Sequence, residues 1–354
     1  MLVFVSDYPN SDNIRDGMMQ RVAAIDSLAE DRKRIYLSIS FRNNKKRKTV
    51  VHTNCTIEYL NFFLHQKIIK SIINSASVVY VHSLYNFIRI YFAFCGCKTI
   101  LDIHGVVPEE MEMMGGKWLP PYFHKFERKA ILESKVIIHV TNSMLEHYNE
   151  KYKTNLSKKS LVLPIFEQKT VSYNSSKWDL PQLKIVYAGG VQVWQNIDLM
   201  VDVIKKIGMD LSLANKVSFY ILLPESQVGS FSAKYVDVSC MSNVSIFSLP
   251  KERVLSFLSD CHMGFVLRDP MVVNHVACPT KLVEYLECGV IPIVKSRQIG
   301  DFEQHGYQCI DYDEINEYFD LKKLEHMAKI NGEVLAKLKM QGLLSKDSLK
   351  NYLK

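Results

Sequence analysis

Short apolar runs separated by amphipathic stretches recur along the chain. Leu2–Ser6, Ile35–Ser40, Val78–His82, Thr99–His104 and Val136–Thr141 are the runs of the first half. Near-continuous apolar segments of this length read as strands buried on both faces, the signature of a parallel sheet. Between them, Gly17–Glu30, Leu64–Asn74, Tyr122–Ser134 and Asn142–Lys151 repeat their apolar positions at helical spacing. The alternation predicts a doubly wound α/β domain, whose last strand is Leu161-Val-Leu-Pro164. A polar stretch with Ser172, Asn174, Ser175 and Ser176 follows and reads as a linker. The pattern then restarts. Leu183–Ala188, Val217–Leu223, Val244–Ser248, Met263–Leu267 and Val290–Val294 read as strands, with helices at Gln195–Ile207, Lys251–Ser259 and Thr280–Cys288. After about residue 313 the chain is mostly helical and amphipathic. The expected organisation is a first domain over 1–164, a linker over 165–182, a second domain over 183–335 and a terminal helix over 336–354.

Composition narrows the class. At 354 residues the chain suits two domains of ordinary size. A content of 47% hydrophobic and 23% charged residues is that of a globular protein and excludes a disordered one. Leu2-Val-Phe-Val5 is too short for a secretory leader, and Phe87 to Cys97 is too short to span a bilayer and contains Arg89. The eight cysteines form no CxxC pair, and Cys95 and Cys97 bracket a single Gly. This is poor zinc or redox spacing, so reduced thiols in a cytoplasmic protein are expected. The net charge of +7 is unevenly placed: residues 1–163 hold 23 Lys and Arg against 15 Asp and Glu, and residues 164–354 hold 21 against 22. The excess is densest in Arg42-Asn-Asn-Lys-Lys-Arg-Lys48, which is a solvated loop or a contact for anionic headgroups. No nucleic-acid-binding signature accompanies it.

The richest stretch is Cys278-Pro-Thr-Lys-Leu-Val-Glu284-Tyr-Leu-Glu-Cys-Gly289, between the apolar segments ending at Leu267-Arg268 and beginning at Val290. It reads as a strand–helix–strand unit with Pro279 at the first helical position and Gly289 just past the end. Free N–H groups at Thr280 and Lys281 then face the carboxyl edge of a sheet, where phosphates bind. Arg268 and Lys281 add charge, and Glu284 sits one turn in; an i,i+3 surface pair of Lys281 and Glu284 is the plainer alternative. Leu183 to Ala188 runs into Gly189-Gly190, where a backbone without side chains lets a diphosphate approach. No GxGxxG occurs, which disfavours a dinucleotide. In the first half, Leu101-Asp102-Ile103-His104-Gly105 ends a strand and precedes Glu109, Glu110 and Glu112, while Asp16 is placed to cap a helix opening at Gly17. Asp311-Tyr312-Asp313 has the form of a metal-binding DxD, but it precedes a helical pattern, where Asp serves as a cap.

Arg268-Asp-Pro270 followed by Asn274-His-Val-Ala-Cys-Pro-Thr-Lys-Leu-Val-Glu-Tyr-Leu-Glu-Cys-Gly289 resembles the nucleotide-sugar segment of retaining family-four (group 1) glycosyltransferases, of the variant found in bacterial capsule and O-antigen synthesis. The resemblance covers 183–300 firmly and 1–165 more faintly. It implies the GT-B fold, two Rossmann-like domains facing across a cleft with a terminal helix crossing back. It further implies metal-independent transfer with retention, from a nucleotide-diphosphate sugar to a saccharide or lipid-linked saccharide acceptor, and no cofactor. The implied catalytic residues are His104, Arg268 and Lys281. Gly189, Gly190, Asn274, Pro279, Thr280, Leu282 and Glu284 are implied on the donor, with Gly17, Arg21 and Glu109 on the acceptor side. The chain departs from the pattern twice. Gln192, Gln195 and Asn196 follow Gly190 where relatives carry an Arg and a Lys, and Val276 stands in place of the first of two glutamates. These departures keep two alternatives open, a catalytically silent GT-B partner and a non-hydrolysing sugar epimerase. A peripheral place on the inner face of the plasma membrane is the expected location.

Overall fold

The computed structural model describes the chain except for residues 15–16, 116–119, 165–173, 181, 211–212 and 214. It divides into two compact units, Met1–Ile165 with Met340–Lys354, and Phe166–Lys339.

The first unit contains, in order, β1 (Leu2–Val5), α1 (Gly17–Asp26), β2 (Arg34–Ser40), β3 (Lys48–Val51), β4 (Cys55–Asn61), α2 (Gln66–Ser75), β5 (Val78–His82), α3 (Ser83–Ile90), β6 (Thr99–Ile103), α4 (Val107–Met113), α5 (Pro120–Glu133), β7 (Val136–His139), α6 (Asn142–Tyr152) and β8 (Ser160–Val162). Its sheet runs β3-β4-β2-β1-β5-β6-β7-β8, parallel throughout except for the edge strand β3, which is antiparallel to β4. Aromatic packing fills one face: Phe4 stacks on Tyr36 at 5.0 Å and tilts against Tyr80 at 5.4 Å. The hairpin of β3 and β4 was not expected from the sequence. Glu58 interrupts its apolar pattern, yet this glutamate is buried because Arg47 pairs with it at 2.8 Å and the Thr49 hydroxyl donates to it. A charge compensated across two strands looks polar in sequence and behaves as core in the fold.

The second unit contains β9 (Leu183–Ala188), α7 (Ile197–Met209), β10 (Val217–Leu222), α8 (Glu225–Lys234), α9 (Val236–Ser239), β11 (Val244–Phe247), α10 (Lys251–Leu258), β12 (Met263–Val266), α11 (Val272–His275), α12 (Thr280–Glu287), β13 (Ile291–Val294), β14 (Ile310–Asp311) and the start of α13 (Leu321–Leu353). Its sheet, β11-β10-β9-β12-β13-β14, is wholly parallel. The strand order reverses between β9 and β12. In such sheets the crevice beyond the carboxyl ends of those two strands is where ligands bind.

Two devices hold the strand ends of this unit. Tyr285 on α12 lies against Gly264 of β12, where a Cβ would overlap its ring, and its hydroxyl takes the N–H of Ala188 at 3.1 Å. Lys177, in a short 3-10 turn at Ser175–Asp179 within the stretch expected as linker, is fully buried. Its ammonium donates to the carbonyls of Cys261, Cys288 and Gly289 at 2.7, 2.8 and 3.0 Å. Burial lowers its pKa to about 8, so it remains charged at neutral pH. Gly289, at φ +65°, adopts the left-handed conformation that ends α12.

The 33-residue α13 runs unbroken. Its last turns bury Leu349 and Leu353 among Leu2, Phe4, Met19 and Val22 of the first unit, and Arg32 donates to the terminal carbonyls of Leu353 and Lys354. The C-terminal helix therefore returns to the first unit. No described helix is long and apolar enough to cross a membrane.

Replacing Lys177 with Met should leave three buried carbonyls without their donor. We expect a loss of about 3 kcal/mol, since each unsatisfied buried polar group costs on the order of 1–3 kcal/mol and an apolar stem recovers part of it. Urea unfolding followed by far-ultraviolet circular dichroism measures this; an unchanged midpoint would show that Lys177 does not hold the strand ends.

Candidate functional site

In the second unit the residues at the reversal point of the sheet converge. Gly189 leaves β9 at φ +154°, and a Cβ there would stand 2.9 Å from the ammonium of Lys281. The missing side chain admits that ammonium against the backbone. Lys281 Nζ donates to Gln195 Oε1 at 2.8 Å and lies 3.8 Å from the centroid of the Tyr187 ring. The Tyr187 hydroxyl in turn donates to the Gly190 carbonyl. Arg268 follows β12, and its guanidinium donates to Asn274 Oδ1 at 3.3 Å; Asn274 is buried and donates to the Asp269 carbonyl. Asn196, in the left-handed region, ties the Gly-rich loop to the Leu267 carbonyl at 2.7 Å.

Electrostatics distinguish this edge from an ordinary surface. Desolvation, reinforced by the neighbouring Arg268, pulls the Lys281 ammonium well below its usual range, against the opposing pull of Glu284. Burial likewise lowers Arg268. Neither cation forms a salt bridge with a carboxylate among the described residues. By contrast, Asp269 is paired with Lys295, and Asp311 of the DxD-like segment with Arg297 at 2.7 Å. Helix α12 starts at Thr280, so Pro279 is its cap residue and not the first helical residue that the sequence suggested. Among the described residues no acceptor takes the N–H groups of Thr280, Lys281 or Leu282, so the positive end of the helix adds to the two cations. Glu284 lies one turn along the helix, part-exposed, while Leu282 is buried and offers only its backbone. Val276 is buried too, so no carboxylate side chain is presented from that position.

In the first unit the sheet order reverses between β1 and β5, and β6 lies beside them. His104 follows β6 at this carboxyl edge. Below it sits Asp102, fully buried. Arg21 clamps this carboxylate through Nε at 2.9 Å and Nη2 at 2.7 Å, and spends Nη1 on the Leu163 carbonyl. The Tyr80 hydroxyl donates to Asp102 at 3.0 Å, and the Nδ1 atoms of His82 and His104 lie 3.3 and 3.9 Å away. Burial would raise the Asp102 carboxyl, but the Arg21 guanidinium and the two histidines hold it well below its usual range. Burial lowers the pKa of His82, against the opposing pull of Asp102. Ser83, the residue after β5, is buried and has φ +69°, a strained conformation for a non-glycine residue.

The acceptor-side candidates therefore separate. Arg21 is interior and neutralises Asp102. Gly17 is exposed at the start of α1, and the expected cap at Asp16 lies outside the described residues. Glu109 turns to α6, where Lys151 donates to it at 2.6 Å and His147 lies 3.3 Å away; these two hold its pKa down to about 2 despite burial. Glu109, His124 and Glu127 bring metal-capable atoms within 4.8 Å of one another, but Lys151 already bridges the two carboxylates. The glutamate of α4 that feels the charge of His104 is Glu110. It lies against Gly105, where a Cβ would overlap Oε1, and burial raises its pKa. Sequence spacing alone did not separate Glu109 from Glu110, because the two point to different elements only once α4 packs on α6.

No family model and no curated protein matches the sequence. Solved structures match over nearly the whole chain. Trehalose-6-phosphate synthase OtsA is 10% identical, with 99% of this chain and 98% of that one covered and a TM-score of 0.65. Sucrose-phosphate synthase from Thermosynechococcus elongatus is 10% identical, with 99% and 98% covered and a TM-score of 0.67. Anabaena HepE, solved in complex with UDP and glucose, is 9% identical, with 99% and 98% covered and a TM-score of 0.65. The fold is GT-B. At such low identity the likeness speaks for the architecture alone, and the chemistry of this GT-B chain has to be argued from its own residues.

Removing Arg21 should strand a buried carboxylate. Arg21→Ala is expected to cost about 3–5 kcal/mol, the range for breaking one side of a buried ion pair. Arg21→Ala with Asp102→Asn should recover part of that loss. Denaturant midpoints of the three variants measure it, and additive losses in the double variant would rule out the coupling.

Proposed function

We propose that the chain is a retaining glycosyltransferase that moves a sugar from a nucleotide-diphosphate donor to a saccharide acceptor without a metal ion or other cofactor. The observation that carries this is the pair Arg268 and Lys281, two desolvated cations that form no salt bridge among the described residues, set beside a glycine loop and a helix N-terminus at the reversal point of a parallel sheet. A diphosphate supplies the missing negative charge. Negative charge grows on that group as the glycosidic bond breaks, so fixed cations and helix N–H groups favour the transition state more than the bound donor. Glu284, one turn into α12, takes the donor ribose hydroxyls, with Gly189, Gly190, Asn274, Pro279, Thr280 and Leu282 lining the rest. On the first unit's sheet edge, His104 serves the transfer, with Glu110 rather than Glu109 beside it to orient an acceptor hydroxyl. In a front-face displacement the departing phosphate takes the acceptor proton, so no separate general base is needed.

The acceptor is proposed to be a lipid-linked saccharide of bacterial surface polysaccharide synthesis, reached by a peripheral, cytoplasmic-side enzyme. The sequence resemblance and the basic excess of residues 1–163 support this. One observation favours a second reading, a GT-B subunit that binds nucleotide sugar without transferring it: Val276 is buried where relatives carry a carboxylate. Release of UDP or GDP from a panel of nucleotide sugars, with and without a cell-envelope lipid extract, separates the two. Donor binding without acceptor-dependent nucleotide release would leave only the second.

Three outcomes are expected. Arg268→Ala and Lys281→Ala should lower turnover more than donor affinity, and turnover should survive a chelator. A loss of donor affinity with turnover unchanged would mean the cations act only in binding. Glu284→Gln should weaken donor binding about tenfold or more, because hydrogen bonds to a charged group contribute roughly 1.5–3 kcal/mol each; unchanged affinity in calorimetry would remove Glu284 from the site. The depressed Lys281 pKa gives a third. An anion beside the amine raises its pKa, so nucleotide diphosphate binding should take up a proton between the free and bound values and weaken as pH rises through that interval. Calorimetry in buffers of different ionisation enthalpy reads this uptake, and it should vanish in Lys281→Met.

A further inference from the structure

The carboxyl edge of the first unit's sheet carries a surface that the transfer chemistry does not use. The loops after β2 and β4 meet there. Phe41, Phe63 and Leu64 are 40%, 64% and 64% exposed, a cost in water that isolated surface residues do not share because these three are contiguous. Their rings are packed rather than scattered: Phe41 lies 4.7 Å from Phe62 and 6.1 Å from Phe63, and Phe62 meets Phe63 edge-on at 5.0 Å and Phe92 at 5.6 Å. A buried Asn61 fixes the arrangement. Its Oδ1 accepts the N–H groups of Phe63 and Leu64 at 3.0 and 3.2 Å, and its Nδ2 donates to the Asn43 carbonyl at 2.8 Å. One amide thus binds the aromatic turn to the basic loop. Around it, residues 41–48 and 61–75 carry Arg42, Lys45, Lys46, Arg47, Lys48, Lys67 and Lys70 and no Asp or Glu. Among the described residues, only Arg47 of these is paired with a carboxylate, that of Glu58.

Exposed aromatic and aliphatic side chains on the same loops as exposed lysines match the two layers of an anionic bilayer surface. Apolar groups enter the acyl boundary, aromatic rings rest at the headgroup level, and cations meet the phosphates. We infer that Phe41, Phe63 and Leu64, with the surrounding lysines, form a docking surface for a membrane bearing anionic phospholipid headgroups. A nucleic acid or an acidic protein would also meet the lysines, and bases could stack on Phe63, but neither accounts for an aliphatic Leu64 exposed next to it. Because β1, β2, β4, β5 and β6 are parallel, this surface lies on the same sheet edge as His104. The loop after β2 is three strand positions from β6 and that after β4 is four, roughly 14 and 19 Å at ordinary strand spacing. A saccharide carried on a membrane lipid would reach His104 along that edge. This orientation rests on the glycosyl-transfer reading; the docking does not.

The test uses the full chain and vesicles of phosphatidylglycerol and phosphatidylcholine, or of phosphatidylcholine alone, with no nucleotide sugar or acceptor present. Its outcome is therefore separate from that of the transfer reading. Co-sedimentation should be strong with anionic vesicles at low salt, weak at high salt and weak with neutral vesicles. Phe63→Ser with Leu64→Ser, and separately Lys45→Ser with Lys46→Ser, should each reduce association about fivefold or more, with circular dichroism unchanged. In Phe63→Trp, the emission should move to shorter wavelength on anionic vesicles. Absence of binding to anionic vesicles at low salt overturns the inference. So does equal binding of the Phe63→Ser/Leu64→Ser variant or an unshifted Trp emission, either of which would mark the lysines as a general polyanion surface.

Discussion

The second unit is organised around an electrostatic conflict. Burial lowers the preference of both Arg268 and Lys281 for charge, and the Arg268 guanidinium lowers that of Lys281 further. Ordinary surfaces resolve such a conflict by rotating a lysine outward or by placing a carboxylate between the cations. Here Lys281 is held by Gln195 and by the Tyr187 ring, and the space that would relieve it is backbone at Gly189. The packing beneath is what maintains the conflict. Tyr285 passes under the sheet against Gly264 and fixes Ala188, the residue from which the glycine loop departs. Lys177 anchors the far end of the same helix. An edge held in this way is preorganised for an anion, because the reorganisation is completed on folding rather than on binding.

The first unit solves the opposite problem. A carboxylate, Asp102, is enclosed beneath the sheet edge, and it is compensated fully: an arginine clamp, a tyrosine hydroxyl and two imidazoles surround it. His104 brings its Nδ1 to 3.9 Å from that carboxylate, and both of its ring nitrogens are buried without a hydrogen-bond partner among the described residues. Arg21, which sequence resemblance placed among acceptor contacts, is instead spent on neutralising Asp102. The glutamates after His104 divide the labour similarly. Glu109 fastens α4 to α6, and Glu110 is the one left beside Gly105 and His104.

Parallel strands impose a further constraint. Every loop that follows a strand emerges on one edge, so chemistry, ligand loops and any surface built from those loops are gathered there. The aromatic turn after β4 and the basic loop after β2 share the edge of His104 for this reason, although in sequence they lie about forty and sixty residues before it. The hairpin that carries them depends on the Arg47–Glu58 pair, which makes the single acid of this region part of the core and leaves the surrounding surface cationic.

Much of this organisation was legible in the amino-acid order because buried parallel strands announce themselves as apolar runs and their helices as a period near 3.6. The strand–helix–strand unit around Glu284, the glycine loop and the returning terminal helix could be placed from pattern and resemblance alone. The hairpin at 48–61 could not, since Glu58 breaks the apolar alternation and its compensation by Arg47 exists only across two strands. Nor could the partners of Arg21, Glu109 and Lys177. A charged side chain reads the same in sequence whether it meets solvent, a ligand or a buried counterpart dozens of residues away. Its role is decided by which charge or carbonyl the tertiary packing brings within 3 Å, and that is information the local order of residues does not contain.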